Sequence, residues 1–470
     1  GEFAVVLVDF HPEHRKVVVS ADVFATKPVW YGTHQVGGQN RFMVASYESV
    51  LLRSGFPSAT KCQANEILTF DDKGELLRKD TLVTFDLNQY KTNTDDWVAA
   101  FQEAVQIRTR NLIHKVFVGV SDGYDSGSVF LAVCLQGIDV MSFTIAGSED
   151  LDLVLNRAQQ CGTLGSNPAK DVKSYFLRPD KRAYDAEHEW VANNVEPFAY
   201  RHAGWKSNLA DPASTGLSLI CRQVLRYGGR VYISGSGADE TISDYWTSNK
   251  DINAKLNMSS FGGVFPQDLS TVFPWTSFFG GSQESYLMKE ETVAGAHGIE
   301  SRYPFLDPKV IQEYLWLTAD VKNSLYKRPV ADFLSLHHFP IVPKQKKGFD
   351  VFKPEGRSPP EVLKARGVYY ETLSHTEWVT PIPIKIPTHR LAPEWVAAGK
   401  VAVVMRAEAA AKRAEAASVR TSQLVAEAMA AGEFASHLHY VTSGVLLGVV
   451  GTLGCLWKRL RRGVGVRRTE

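Results

Sequence analysis

The stretch from Lys115 to Leu135, KVFVGVSDGYDSGSVFLAVCL, limits what this chain can fold into more than any other. An apolar run of strand length passes into a loop of small residues with two acids, and then directly into an apolar helical run. A strand that turns straight into a helix sets the free N–H groups of the helix's first turn at the strand's end, where together they attract an anion. A phosphate site is the first expectation. The same grammar recurs at Arg230 to Glu240, RVYISGSGADE, a second strand running into a Gly-rich acidic loop. A helical period from Asp95 to Asn111 leads into the strand at Lys115, and strands and helices then alternate to about residue 330. Val140 to Ile145 and Val231 to Ile233 read as further core strands. That order predicts a doubly wound α/β domain over residues 91–355, with ligands bound at the carboxyl ends of the strands, where both acidic loops fall.

The first 90 residues alternate instead like half-buried antiparallel strands. Phe3 to Asp9, Lys16 to Ala21, Arg41 to Ala45 and Ile67 to Phe70 are separated by turns at His11-Pro12, Gly37-Gly38 and Lys73-Gly74. With 52 basic against 51 acidic residues, the chain carries no global field that argues for nucleic acid. The five cysteines, Cys62, Cys134, Cys161, Cys221 and Cys455, show neither paired nor metal-like spacing and are expected to be reduced and buried. The chain begins at Gly1, and no charged segment followed by a short apolar run lies near it; either a targeting segment has been removed or the chain is a fragment.

The carboxyl-terminal part is of another kind. Residues 356–392 are proline-rich and read as an extended linker rather than a packed element. Residues 393–433 are dense in Ala, Glu, Arg and Lys, which favours a long helix, and a helix this polar needs a partner or bridges solvent. Residues 438–458 contain the 18 uncharged residues Tyr440 to Trp457, long enough to cross most of a bilayer. Lys458, Arg459, Arg461 and Arg462 open a basic tail over 459–470. Gly444, Gly448, Gly451 and Gly454 suit packing between membrane helices.

Ser121-Asp122-Gly123-Tyr124-Asp125-Ser126 resembles the SGGxDS pyrophosphate loop of ATP pyrophosphatases, in particular the synthetase domain of asparagine synthetases. Ser234 to Glu240 is similar to that family's SGEGxDE segment, His297 to Asp307 to its HGLExRxPFLD signature, and Lys344 to Phe349 to its late basic RxKxGF segment. The four stand in family order. Residues 1–90 resemble the second half of the family's glutaminase domain, through Gly1 to Asp9, Ala21 to Gly32 and Ala45 to Glu48. The family's glutaminase nucleophile is an N-terminal cysteine, whereas the first cysteine here is Cys62; glutaminase activity is not expected, and the block reads as a β-layer on which the α/β domain packs.

The resemblance implies ATP and magnesium chemistry: a carboxylate is activated as an acyl-adenylate, pyrophosphate leaves, and ammonia attacks. Ser121, Gly123, Asp125, Ser126, Ser234, Gly235 and Gly237 match the nucleotide loops, Asp125 and Asp239 the acids near magnesium, and Lys346 the base facing pyrophosphate. Three departures weigh against turnover. Asp122 replaces a loop glycine, and a carboxylate facing phosphate oxygens at about 4 Å repels each unit charge by roughly 1–4 kcal/mol. Ser236 replaces the glutamate used in acyl transfer, which removes a proton acceptor. Thr241 to Tyr245 replaces a glycine-containing FGGY run. The expected role is a non-catalytic accessory subunit of a membrane complex in a mitochondrial inner or plastid thylakoid membrane, its partners being other subunits and the bilayer around 438–458. The alternative is a membrane-tethered, ammonia-using, amide-forming enzyme.

Overall fold

A computed structural model describes residues 1–10, 15–164, 171–200, 206–244, 261–262, 264–341, 351 and 368–373, all within one unit, Gly1–Pro381. Its amino-terminal part is antiparallel, as the alternation predicts, with more strands than expected. β1 (Ala4–Asp9), β2 (Lys16–Ala21), β3 (Trp30–Val36), β4 (Gln39–Ala45), β5 (Thr60–Lys61), β6 (Glu66–Asp71) and β7 (Leu76–Thr81) form two sheets, ordered β1-β2-β6-β7 and β4-β3-β5. β3 and β4 are joined through Gly37 and Gly38 at φ +58° and +76°, a two-residue turn that only residues tolerant of positive φ make cheaply. Val19, Ala21, Val29, Cys62, Leu68 and Phe70 fill a common core. The strands not foreseen are β3, interrupted by Gly32, the two-residue β5, and β7, whose Leu-Leu-Arg-Lys-Asp-Thr has no alternation.

Buried ions weld this layer to the rest. Glu2 Oε1 accepts from Arg108 Nε at 2.7 Å, Lys27 Nζ donates to Glu291 Oε1 at 2.6 Å, and Lys61 Nζ to Glu284 Oε1 at 3.0 Å. Arg108 also donates to Asp307 Oδ2 at 2.9 Å, so Glu2 joins an arginine already anchored in the α/β part.

That part is built on β8 (Lys115–Gly119), β9 (Val140–Ile145), β10 (Val172–Pro179), β13 (Gly229–Ile233), β14 (Glu300–Arg302) and β15 (Val368–Leu373); β11 (Ala199–Tyr200) and β12 (Lys206–Ser207) make a separate small hairpin. The six strands pair parallel in the order β14-β13-β8-β9-β10-β15. Every residue of β9 is buried, as expected of a parallel strand covered on both faces. Val116, Val118, Val231 and Ile233 face one core and Phe117, Met141, Phe143 and Tyr232 the other. Strand order runs outward from β8 through β9 and β10, then reverses to β13 and β14, so the loops after β8 and β13 meet at the switch point, where sheets of this kind open a crevice.

Two expectations are corrected. Val368–Leu373 lies within the segment read as a linker and is instead an edge strand beside β10; its Val-Tyr-Tyr-Glu-Thr-Leu favours a sheet, and the neighbouring prolines masked that signal. Cys134 and Cys161, expected to be reduced, are joined in a disulfide that ties helix Tyr124–Leu135 to helix Leu151–Cys161. Their spacing of 27 residues carries no motif; packing of the two helices brings them together. Among the described residues no helix is long and apolar enough to cross a membrane. The Ala-rich segment 393–433, the stretch 438–458 and the basic tail 459–470 lie outside them.

The Glu2 contact makes stability depend on pH. Burial pushes this carboxyl up, but the Arg108 guanidinium and the Tyr303 N–H more than offset it, leaving Glu2 at about 2 against the ordinary 4.5. A carboxylate depressed in this way contributes stability that is present above 4.5 and lost as pH falls through about 2, on the order of 3 kcal/mol for a shift of this size. Urea unfolding across that window should show the loss in the wild type and a flatter dependence in Glu2→Gln, which is already destabilised at neutral pH.

Candidate functional site

Ser121 lies two residues past the end of β8, and Gly123, in extended backbone at φ −70° and ψ 163°, opens helix Tyr124–Leu135 without a side-chain cap. The loop is knitted together by its own hydroxyls: Ser121 N donates to Ser126 Oγ at 2.9 Å, the two serine oxygens lie 2.7 Å apart, and Gly123 N donates to Ser121 Oγ at 3.1 Å. Arg157, fully buried on helix Leu151–Cys161, braces the loop from behind by donating to Ser121 O at 2.6 Å, Gly123 O at 2.9 Å and Pro340 O at 3.0 Å. Gly127 makes room for it, since a Cβ there would stand 2.6 Å from Arg157 Cζ.

The loop after β13 presses against the first one. A Cβ on Gly235 would lie 3.1 Å from the Asp125 carbonyl carbon and Ser126 N, and Gly237 sits at φ +100° with Leu306 packed where a side chain would be. Ser234 Oγ accepts from Ser236 N at 3.0 Å. The structure thus brings Ser121, Gly123, Asp125 and Ser126 together with Ser234, Gly235, Gly237 and Asp239 at one crevice. Lys346 lies outside the described residues.

The two acids matched to magnesium already share one cation of the protein's own. Lys327 Nζ donates to Asp125 Oδ1 at 2.6 Å and Oδ2 at 2.5 Å, and stands 2.7 Å from Asp239 Oδ1. Tyr326 Oη donates to the same Asp239 oxygen at 2.9 Å. The lysine side chain is 2% exposed. Burial pulls its ammonium down, and the Asp125 charge more than offsets this, so the net direction is up and the group stays charged. Its backbone is left-handed, φ 47° and ψ 50°, at the amino-terminal cap of helix Arg328–Leu336, a conformation that costs a non-glycine residue of order 1–3 kcal/mol unless its surroundings hold it. Two carboxylates with an ammonium between them do not fit a magnesium ion.

Both loop substitutions behave differently from expectation. The Asp122 carboxylate turns to the loop after β9 and accepts from Asp150 N at 3.1 Å, while Asp122 N donates to Glu149 Oε2 at 2.8 Å. The expected clash of Asp122 with phosphate gives way to a paired contact with Glu149, which burial above all, joined by the Asp122 charge, pushes up to about 7. At Ser236 a carboxylate is restored from elsewhere: the serine Oγ donates to Glu290 Oε1 at 2.7 Å, from helix Gly281–Ala296. Burial raises Glu290, and its Oε2 has no hydrogen-bond partner. Of the altered run after Glu240, Thr241 Oγ1 donates to Gly237 O at 2.6 Å and Asp244 accepts from Ser277 Oγ at 2.7 Å, which makes these residues internal bracing. The His297–Asp307 segment is likewise structural, supplying β14, the Tyr303 N–H to Glu2, and Asp307 as cap of helix Pro308–Trp316.

Sequence reasoning missed Lys327, Glu149, Glu290 and Arg157. Glu149 lies in the loop after β9, and the rule that strand carboxyl ends carry sites could have marked it. Lys327 gave no signal, since a lysine before Arg-Pro reads as surface.

No family model and no curated protein matches the chain. Among solved structures it is similar to NMN synthetase from Francisella tularensis, at 11% identity and a TM-score of 0.23, over 51% of this chain and 97% of that one. A likeness of this size carries no argument about the chemistry.

Removing the ammonium leaves two half-buried carboxylates close together with no cation between them. Lys327→Met is expected to cost about 3–5 kcal/mol in urea unfolding at neutral pH, with the cost shrinking as acid protonates the pair. A loss below about 1 kcal/mol, typical of a solvated surface pair, would show that the contact is incidental.

Proposed function

We propose that this chain has the asparagine-synthetase type of architecture without its chemistry, and that it serves as an accessory subunit of a membrane complex. One observation carries the first part: Lys327 Nζ bridges Asp125 and Asp239 at 2.5 and 2.7 Å, so the two acids matched to magnesium already hold a cation that cannot exchange. Acyl-adenylate formation draws on metal to neutralise the triphosphate as charge moves onto pyrophosphate. A tethered ammonium on a buried stem offers one charge where a metal offers two and cannot carry phosphate oxygens as ligands. The glycines of both loops now serve packing, as at Gly235 and Gly237, and the serines knit the loops together. Folds outlast the sites grafted on them.

The membrane part rests on sequence, namely the uncharged run Tyr440 to Trp457 with its basic flank, and the Ala-rich segment 393–433, which calls for a partner. A tether makes a second contact effectively intramolecular, so a weak interface to other subunits then suffices. A mitochondrial inner or plastid thylakoid membrane is the setting we favour.

A membrane-tethered amide-forming enzyme is the second reading, and Glu290 is the observation in its favour, since it brings a buried carboxylate to Ser236 where a proton acceptor had been given up as lost. Exchange of labelled pyrophosphate into ATP, with aspartate and magnesium present, separates the two. The accessory reading expects no exchange above a no-protein control and migration within a large assembly on native electrophoresis of detergent-solubilised organelle membranes. Steady exchange by a free, small species would establish the enzyme instead.

A further inference from the structure

A metal-bound phosphate would bring two things to these loops: an oxygen acceptor for the loop N–H groups and a cation for Asp125 and Asp239. The protein supplies both from its own side chains. Glu149 Oε2 accepts from Asp122 N at 2.8 Å, and Lys327 Nζ lies 2.5 Å from Asp125 and 2.7 Å from Asp239. The flanking N–H groups are satisfied as well, Ser121 N by Ser126 Oγ and Gly123 N by Ser121 Oγ. Three consecutive loop donors therefore have acceptors within the chain.

We propose that the site is self-ligated: the Glu149 carboxylate stands in for a phosphate oxygen and the Lys327 ammonium for the metal, closing the crevice from within while its backbone cradle survives. This rests on the reading that the wild-type site does not turn over. Neither surrogate belongs to the loop it fills. Glu149 follows β9, and Lys327 caps helix Arg328–Leu336. Arg157 holds the carbonyls of Ser121 and Gly123 independently of both. Removing the two surrogates should therefore free the Asp122 N–H and relieve both acids of their ammonium without collapsing the loop. The Asp122 N–H then faces an anion, and Asp125 and Asp239, relieved of the ammonium, face a cation, which is the pairing magnesium pyrophosphate provides.

The test is titration calorimetry of the full chain in detergent with inorganic pyrophosphate, with and without magnesium. Wild type should show no binding. Glu149→Ala combined with Lys327→Met should bind pyrophosphate in the presence of magnesium, about tenfold or more tighter than in its absence. A double variant that is folded by circular dichroism yet blind to magnesium pyrophosphate overturns the proposal. Because Lys327→Met exposes two carboxylates to each other, its melting is followed with magnesium against sodium at equal ionic strength. Recovery specific to magnesium supports the surrogate role, and a variant that stays unfolded in both contradicts it. Wild-type binding of magnesium pyrophosphate would instead remove the reading on which the proposal rests, which keeps the two failures apart.

Discussion

An ammonium held between two carboxylates at the switch point of the parallel sheet organises this molecule. Lys327, Asp125 and Asp239 come from three separate elements, the cap of helix Arg328–Leu336, the first turn after β8 and the short helix after β13. Taking these charges out of water costs several kcal/mol each, and only close pairing returns it. The lysine adds the cost of a left-handed backbone. A contact that expensive persists because both acidic loops lean on it, and Gly235 shows how closely they have come together. The triad acts as a cross-brace between the two loops.

The same device recurs at the seam with the antiparallel layer. Glu2 reaches Arg108, Arg108 reaches Asp307, and Lys27 reaches Glu291, each at ion-pair distance and largely out of water. The layer is thereby positioned on the α/β part by directional contacts. The Cys134–Cys161 disulfide adds a covalent tie behind the first loop, at the far ends of the helices that carry Asp125 and Arg157.

Local pattern made much of this legible. The apolar runs at Val116–Gly119, Val140–Ile145 and Val231–Ile233 become central parallel strands because nothing but a sheet covered on both faces buries them. The two acidic loops fall at strand carboxyl ends, as their order requires. What escaped reading depends on tertiary proximity. No spacing reveals that Lys327 will lie between acids 202 and 88 positions away, that Glu290 will reach Ser236, or that Cys134 will find Cys161. Sequence alone aims the Asp122 charge at phosphate, since only the fold turns its carboxylate to the neighbouring loop.

The central claim is that the protein's own cation fills the place of a metal, and an experimental structure obtained in saturating magnesium and ATP tests it most directly. The account requires Lys327 Nζ within hydrogen-bond distance of both Asp125 and Asp239, Glu149 on the Asp122 N–H, and no nucleotide in the crevice. A metal ion between the two carboxylates, with Lys327 swung away and phosphates lying on the loop after β8, would contradict it.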